Sequence, residues 1–465
     1  MKEKCGLFGA ISLTDENVTP VVYIGIRSLQ HRGQEAWGIA NSKLKIHKQS
    51  GLVTENLKKS EPALKTLKSN IAIGHVRYST AGGKSMNLAQ PYLISKTFSI
   101  AHNGTVCDVR SLQNKLTHKV PKKFNDTYLV GHRLKELLSE TSGNWFKAIK
   151  LISKELVGAY CFIILTKNEI IAFRDPRGFR PLSIGYHRPT KSHIVTSESC
   201  ALTVLNAKFV RDVLPGEAVI LSKNGIKSYR FSKKSRFAHC SFEYTYFAHP
   251  SSLIDGISVY QERKNLGMKL AELYDVEGDI VIPVPDSARP AALGFSEKSK
   301  IPFAEGLMKD RYGKKGGLRS FIQPTNKDRI EINKRVIPVV SEIQDKNVIV
   351  IDDSIVRGIS SKNIIKTLKK AGAKSVKVLV TYPPIRHPCR AGIDFPTQEE
   401  LLVPQTNEKF DNLDQINKNV RKSIKADFVG YNDVKSLSDG IGKPENELCI
   451  SCHTGEYGVL NPNLD

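Results

Sequence analysis

Long apolar runs are missing from this sequence. No segment approaches the ~18 residues of a membrane-spanning helix, and the opening "MKEKCGLFGAISL" lacks the apolar length and small-residue cleavage site of a secretory signal. The chain is therefore expected to be cytoplasmic, with no membrane partner. Long basic runs are missing too. The formal net charge is +24, yet the lysines come in ones and twos ("LKKS", "VPKKF", "SKKSR", "LKKAG"), with no aromatic-interleaved stripe. That distribution reads as a solvated surface and argues against nucleic acid as a partner. The same positive field favours a phosphorylated small substrate. Cysteine is sparse, 8 in 465 residues, which suggests no disulfide framework in a cytosolic chain. The cysteines read instead as thiols, metal ligands or a nucleophile. There is no internal repeat and no low-complexity tract.

What is present is enough material for more than one core. A chain of 465 residues, 40% hydrophobic and 25% charged, predicts a globular enzyme of two substantial domains. Up to about residue 235, short β-branched and aromatic runs ("IAIGHVRYST", "TFSIAHNG", "GAYCFIIL", "IIAFRDPRG", "EAVILS") predict a strand-dominated layer with a few helices, one of them around 126–139. From about residue 260, apolar strands ("DIVIPVPDS", "NVIVIDDS", "SVKVLVTYP") alternate with helical stretches, the pattern of a parallel, doubly wound sheet. The boundary is expected near residue 235, in "SKKSRFAHC". The polar segment 396–430 predicts only helix and loop.

The strongest local chemistry lies in "VIVIDDSIVRGISSKNIIKTLKKAG". An apolar strand ends in Asp352 and Asp353, a turn through Gly358 follows, and Ser360 and Ser361 open a helix with Ile364, Ile365 and Leu368 on one face. Ligands of parallel sheets bind beyond the carboxyl ends of strands, and the free N–H groups of a helix start favour phosphate. Adjacent carboxylates suit vicinal hydroxyls or a hydrated metal ion.

The first half holds the parts a thiol nucleophile needs. Cys5 is the candidate. "GHVRYST" offers Arg77, whose planar fork suits a carboxylate. "AHNGTV" offers Asn103 and Gly104, an amide donor and an unobstructed N–H for an oxyanion hole. "FNDTYL" offers Asp126 as an ammonium acceptor. A carboxylate clamp with an ammonium acceptor describes an amino-acid substrate. Near the end, "CISCHTGEYG" pairs Cys449 with Cys452, while Cys240 and Cys389 stand alone; spacing leaves zinc and iron-sulfur open. Cys107, Cys161 and Cys200 lie in apolar runs and read as small core residues.

"IDDSIVRGISS" closely resembles the phosphoribosyl-diphosphate loop of type I phosphoribosyltransferases, and "VIPVPDSARPAALGF" resembles the pyrophosphate loop of one branch. With "QHRGQEAWGI", "RDPRGFRPL", "TSESCAL" and "RDVLPGE" ahead of them, the order resembles the glutamine phosphoribosylpyrophosphate amidotransferases over essentially the whole chain. The resemblance implies a propeptide, 1–4, and an α+β N-terminal nucleophile glutaminase domain at 5–235, a layered α/β/β/α sandwich. An α/β type I phosphoribosyltransferase domain with a mainly parallel sheet and a C-terminal cluster-binding segment follows at 236–465.

By the same resemblance, Cys5 becomes the mature N-terminus and its own amine is the base. Asn103 and Gly104 form the oxyanion hole, and Arg77 and Asp126 hold glutamine. Asp352 and Asp353 hold the ribose hydroxyls and Mg2+. Ser354, Val356, Arg357, Gly358, Ser360 and Ser361 hold the 5-phosphate, and Asp286 and Ser287 face the diphosphate. Arg311, Tyr312 and Arg319 of "RYGKKGGLRSFIQP" belong to a loop expected to close over substrate. Cys240, Cys389, Cys449 and Cys452 match the positions of a 4Fe-4S cluster in one branch. The implied reaction makes 5-phosphoribosylamine from glutamine and phosphoribosyl diphosphate, in a homo-oligomer, dimer or tetramer, inhibited by purine nucleotides. Three positions depart from the pattern: Ile359 replaces a threonine, Tyr128 stands where an acid is frequent, and the closing loop is longer. Ile359 and the altered loop support one alternative, a non-catalytic or weakly active paralogue that senses phosphoribosyl diphosphate. A hexosamine-type amidotransferase is set aside because it lacks "IDDSIVRG".

Overall fold

In "GAYCFIIL" no residue is charged, and a strand of that kind needs cover on both faces. The computed structural model describes residues 5–54, 57–78, 88–118, 125–232, 236–309, 336–395, 397–410 and 412–461, and it supplies that cover. Tyr160, Phe162 and Ile164 of strand Gly158–Leu165 pack with helices Asp126–Glu140 and Trp145–Ser153. Cys161, Ile163 and Leu165 point the other way and meet Leu7, Ile11, Ile71 and Ile73 of a second sheet. The period-two alternation thus splits one strand between two cores.

The sheet containing that strand has six strands, in the order Gly225–Arg230, Glu217–Ser222, Ile170–Arg174, Gly158–Leu165, Phe98–Val106, Tyr92–Ile94. Its partner has seven: Lys208–Asp212, Ser183–His187, Ser192–Thr196, Cys5–Ser12, Ile71–Arg77, Ala36–Asn41, Ile46–Ser50. Helices Thr19–Ser28 and Cys200–Val204 cover the outer face of the seven-stranded sheet through Val22, Ile26 and Leu202, against Phe8 and Trp37. The result is the expected helix–sheet–sheet–helix sandwich. Burying each of these large side chains contributes roughly 1.5–3 kcal/mol, so the two layers are held chiefly by their apolar faces.

The later part carries four parallel strands, ordered Ile280–Pro283, Asn347–Asp352, Ser375–Val380, Phe428–Tyr431. In the second of these, Val348 and Val350 face helices Ile359–Lys370 and Leu413–Ile424, while Ile349 and Ile351 face Val259–Leu273 and Arg289–Ser299. The doubly wound expectation holds. Two expectations fail. Segment 396–430 is not only helix and loop, because Phe428–Tyr431 completes the sheet; "FVGY" is short and carries a glycine, which hides it from pattern reading. Cys107 is not a core residue either: it lies exposed just past the end of strand Phe98–Val106, its thiol directed at the Arg390 carbonyl at 3.1 Å. Cys161 and Cys200 are buried as expected. Residues 1–4 and 233–235, the expected propeptide and domain boundary, lie outside the described residues. Among those described, no helix is long and apolar enough to cross a membrane.

One buried carboxyl has no role in holding this fold. Glu262, on helix Val259–Leu273, is 1% exposed, and among the described residues neither oxygen accepts a hydrogen bond, the nearby Thr245 hydroxyl being directed to the Ser241 carbonyl. Burial pushes its pKa up to about 8 against the opposing charge of Arg263. The folded state therefore keeps a proton that the unfolded state releases above its ordinary value of 4.5, and stability falls as pH rises from 4.5 to about 8. Glu262→Gln is expected to remove up to about 1.4 kcal/mol of that fall per pH unit, measured as urea midpoints at pH 5, 6.5 and 8. Parallel curves for the two proteins would refute it.

Candidate active site

Cys5 opens the strand at the middle of the seven-stranded sheet, where the antiparallel register places it opposite Arg77. It is fully buried. Its backbone N–H donates to Asn103 Oδ1 at 3.3 Å, across the gap between the two sheets. That contact turns the other end of the amide, Nδ2, into a buried donor with no partner among the described residues. Leaving such a donor unsatisfied costs about 1–3 kcal/mol, and a developing oxyanion would satisfy it. Gly104, next to it, has φ +137°, and a Cβ there would lie 2.0 Å from the Ala159 carbonyl oxygen. Only glycine keeps that backbone beside Asn103. Asn103→Asp replaces the orphaned donor with an acceptor, so the kcat of a reaction run by the Cys5 thiol is expected to fall by about 10²–10³ with KM little changed. An unchanged kcat in steady-state kinetics would remove Asn103 from the chemistry.

Arg77 and Asp126 are the other two residues expected at this centre. Arg77 Nη1 lies 3.1 Å from Glu35 Oε2. Asp126 begins helix Asp126–Glu140; its Oδ2 accepts from the Val106 N–H at 3.0 Å and its Oδ1 from the Thr127 N–H at 2.7 Å. Burial pushes its pKa up, but His102 and those two N–H groups outweigh it and hold the carboxylate below the ordinary range. Asp126 is therefore an anion at neutral pH, as an ammonium acceptor must be.

A second layer was not foreseen. Arg32 is fully buried, and its Nε donates to the Cys5 carbonyl at 2.9 Å. Its other nitrogens pair with Glu198 and, at 2.8 and 3.1 Å, with Glu243. The signal in the sequence was Glu243 itself, a lone acid inside the apolar run "HCSFEYTYF". His31, Glu198 and Cys200 bring possible metal ligands within 4.8 Å of one another. Glu198 is already bound by Arg32, His31, the Ser252 hydroxyl and the His249 N–H. That cluster reads as a structural anion.

The second centre lies along the carboxyl edge of the parallel sheet. Asp352, 7% exposed, ends the second strand, and Asp353, 5% exposed, follows it. Burial and the adjacent Asp353 push the Asp352 carboxyl well above its ordinary pKa, an instability that a cation or a pair of hydroxyls would relieve. Gly358 has φ +72° and caps helix Ile359–Lys370, so Ser360 and Ser361 fall in its first turn. Ser354 donates to Asp353 Oδ1 at 3.2 Å, and the Val356 carbonyl accepts from the Leu402 N–H at 2.8 Å. Arg357 is turned to Glu400 and, at 3.1 Å, to the Asp394 carbonyl. Asp286 and Ser287 sit beyond the end of the first strand, with Asp286 paired to Arg289 and Lys309. Arg311, Tyr312 and Arg319 lie outside the described residues.

Cys240, Cys389, Cys449 and Cys452 line one cavity with Phe242, Tyr382 and Phe395. Cys240 and Cys449 are register partners in a two-residue parallel ladder. The N–H groups of Ala391 and Ile393 each reach Cys389 Sγ at 3.3 Å, and the Tyr382 hydroxyl lies 3.3 Å from Cys452 Sγ. Burial pushes the Cys240 thiol up to about 12 and Cys452 well above its ordinary value. Buried thiols with sulfur-directed N–H donors are a donor set for a thiophilic metal.

The chain is similar to proteins of one family. Residues 75–204 match a glutamine amidotransferase domain family. Amidophosphoribosyltransferase of Methanocaldococcus jannaschii is 40% identical over 477 residues, covering 97% of each chain. This chain belongs to the amidophosphoribosyltransferase family. The family member of Bacillus subtilis is 39% identical, covering 98% of this chain and 94% of its own. A solved structure of the glutamine phosphoribosylpyrophosphate amidotransferase of B. subtilis, complexed with ADP and GMP, superposes with a TM-score of 0.84 at 38% identity over 97% of both chains. The amidophosphoribosyltransferase fold, glutaminase sandwich plus phosphoribosyltransferase sheet, therefore extends over this chain.

Proposed function

We propose that the chain hydrolyses glutamine at the Cys5 centre and passes ammonia to the Asp352–Asp353 centre. There it displaces pyrophosphate from phosphoribosyl diphosphate, giving 5-phosphoribosylamine, the first step of purine biosynthesis. The observation that carries this reading is a side-chain bridge between the centres. Tyr78, adjacent to Arg77, donates to Asp394 Oδ2 at 3.0 Å, and the Asp394 carbonyl accepts from Arg357 of the phosphate loop.

With 1–4 removed, the amine of Cys5 takes the thiol proton and the thiolate attacks the glutamine side-chain carbonyl. Asn103 Nδ2 and the Gly104 N–H hold the oxyanion, Arg77 the substrate carboxylate and Asp126 its ammonium. Collapse of the tetrahedral adduct returns the proton to the leaving nitrogen and releases ammonia; water then cleaves the thioester to glutamate. At the second centre Asp352 and Asp353 hold the ribose hydroxyls. The turn Ser354, Val356, Arg357, Gly358, Ser360 and Ser361 holds the 5-phosphate, and Asp286 and Ser287 face the diphosphate. Asp352 and Asp353 would also hold Mg2+, which would offset the charge of the departing pyrophosphate. The same proposal divides the chain at 235/236 and includes purine-nucleotide inhibition and a homo-oligomer.

Cys240, Cys389, Cys449 and Cys452 would hold a 4Fe-4S cluster, supplying a structural tie between the segment near Cys240 and the C-terminal segment. The shared cavity and the N–H groups aimed at Cys389 support it. Anaerobically purified protein is expected to be brown and to contain iron and acid-labile sulfide; zinc without sulfide would refute the cluster. The activity is tested by pyrophosphate release from phosphoribosyl diphosphate and Mg2+ on adding glutamine. Binding without release would favour the sensor.

A further inference from the structure

The cysteine cavity and the nucleophile are joined by buried charges. Arg180, 1% exposed, donates through Nη2 to the Ala391 carbonyl at 2.5 Å, and the Ala391 N–H reaches Cys389 Sγ. Its Nη1 lies 2.9 Å from Glu243 Oε1. Glu243, 1% exposed, stands three residues after Cys240 and is held bidentately by Arg32, which in turn donates to the Cys5 carbonyl. The Cys240 N–H is itself bonded to the carbonyl of Phe179, the neighbour of Arg180, at 3.3 Å. Every charged link in this chain is shielded from water.

We propose that Arg180, Glu243 and Arg32 form a relay by which the group held on the four cysteines and the state of Cys5 influence one another. It rests on the cluster reading above. A thiolate-ligated cluster in the cavity would place net negative charge beside Arg180, in a low-dielectric interior where that charge is not screened. Arg180 then divides its attraction between the cavity and Glu243. Arg32 is the remaining counter-ion of Glu243, and it is also the group that fixes the Cys5 carbonyl. Arg180 and Glu243 are positioning residues, touching neither glutamine nor the thiol. Coupling of this kind is reciprocal: fixing Cys5 must alter the cavity.

The test uses the iron-loaded full chain. Cys5 is alkylated with a glutamine-derived diazoketone, and the rate at which the brown absorbance bleaches in air is compared with that of the unmodified protein. Alkylation is expected to change the bleaching rate by about threefold or more in the wild type and by less than about 1.5-fold in Glu243→Gln, because the link is cut. Arg180→Lys, which keeps the charge and loses the fork, is the second variant should Glu243→Gln fail to fold. A merely structural role would lower the melting temperature in both forms and leave the ratio untouched. Brown protein whose bleaching ignores Cys5, or responds equally in the variants, overturns the relay alone. Protein lacking iron and sulfide overturns the cluster reading and the relay with it.

Discussion

Cys5→Ser is expected to lower glutamine-dependent formation of 5-phosphoribosylamine by about 10³-fold or more and to leave formation from added ammonia within about twofold. The separation follows from which atoms hold residue 5. Its contacts to Asn103 and Arg32 are made by the backbone N–H and carbonyl, so a serine keeps its place in the sheet. What is lost is the sulfur nucleophile, since a hydroxyl ionises far less readily than a thiol beside a weak amine base. The carboxylates and phosphate turn of the second centre lie on a different sheet and are untouched. An unchanged melting curve should accompany the loss. A folded variant that had lost both activities would break the assignment of one step to each centre.

The second large effect is expected to have opposite signs in two measurements. Asp352→Asn should reduce synthesis from either nitrogen source by about 10²-fold or more, because in the proposed function the substrate hydroxyls and the cation lose a charged partner. The same substitution should raise the melting temperature of the ligand-free protein. Burial and Asp353 hold the Asp352 carboxyl well above its ordinary pKa, so the folded state carries a strain that the amide relieves. Functional sites that keep like charges together do so at the expense of stability. A variant that is both inactive and less stable would mean that Asp352 holds the fold rather than the substrate.

How much of this was legible in the sequence depends on range. The alternation in "GAYCFIIL" and "NVIVID" is local, and the two sheets it implied are there. Asp352, Asp353, Gly358 and Ser360 lie within one strand–turn–helix, so their shared placement could be read directly. Phe428–Tyr431 could not, because four residues with a central glycine carry no period. Nor could Arg32: its partners Glu198 and Glu243 are 166 and 211 residues away, and nothing in a single sequence says which acid a buried arginine meets. Arg357 shows the same limit. The motif marks it for phosphate, but its bonds to Glu400 and Asp394 depend on a segment more than thirty residues on. Cys107 was misjudged for the reverse reason: its neighbours are apolar, but the strand ends before it.

The central claim is that nitrogen freed at Cys5 is consumed at the second centre of the same molecule. Turnover with glutamine labelled with ¹⁵N in its side-chain amide, in the presence of unlabelled ammonium, tests it in one mass-spectrometric measurement of the phosphoribosylamine formed. At ammonium concentrations well below those that support turnover by themselves, the product is predicted to carry the label, with glutamate and pyrophosphate released in equal amounts. Unlabelled product, or glutamate released with no pyrophosphate, would contradict the account.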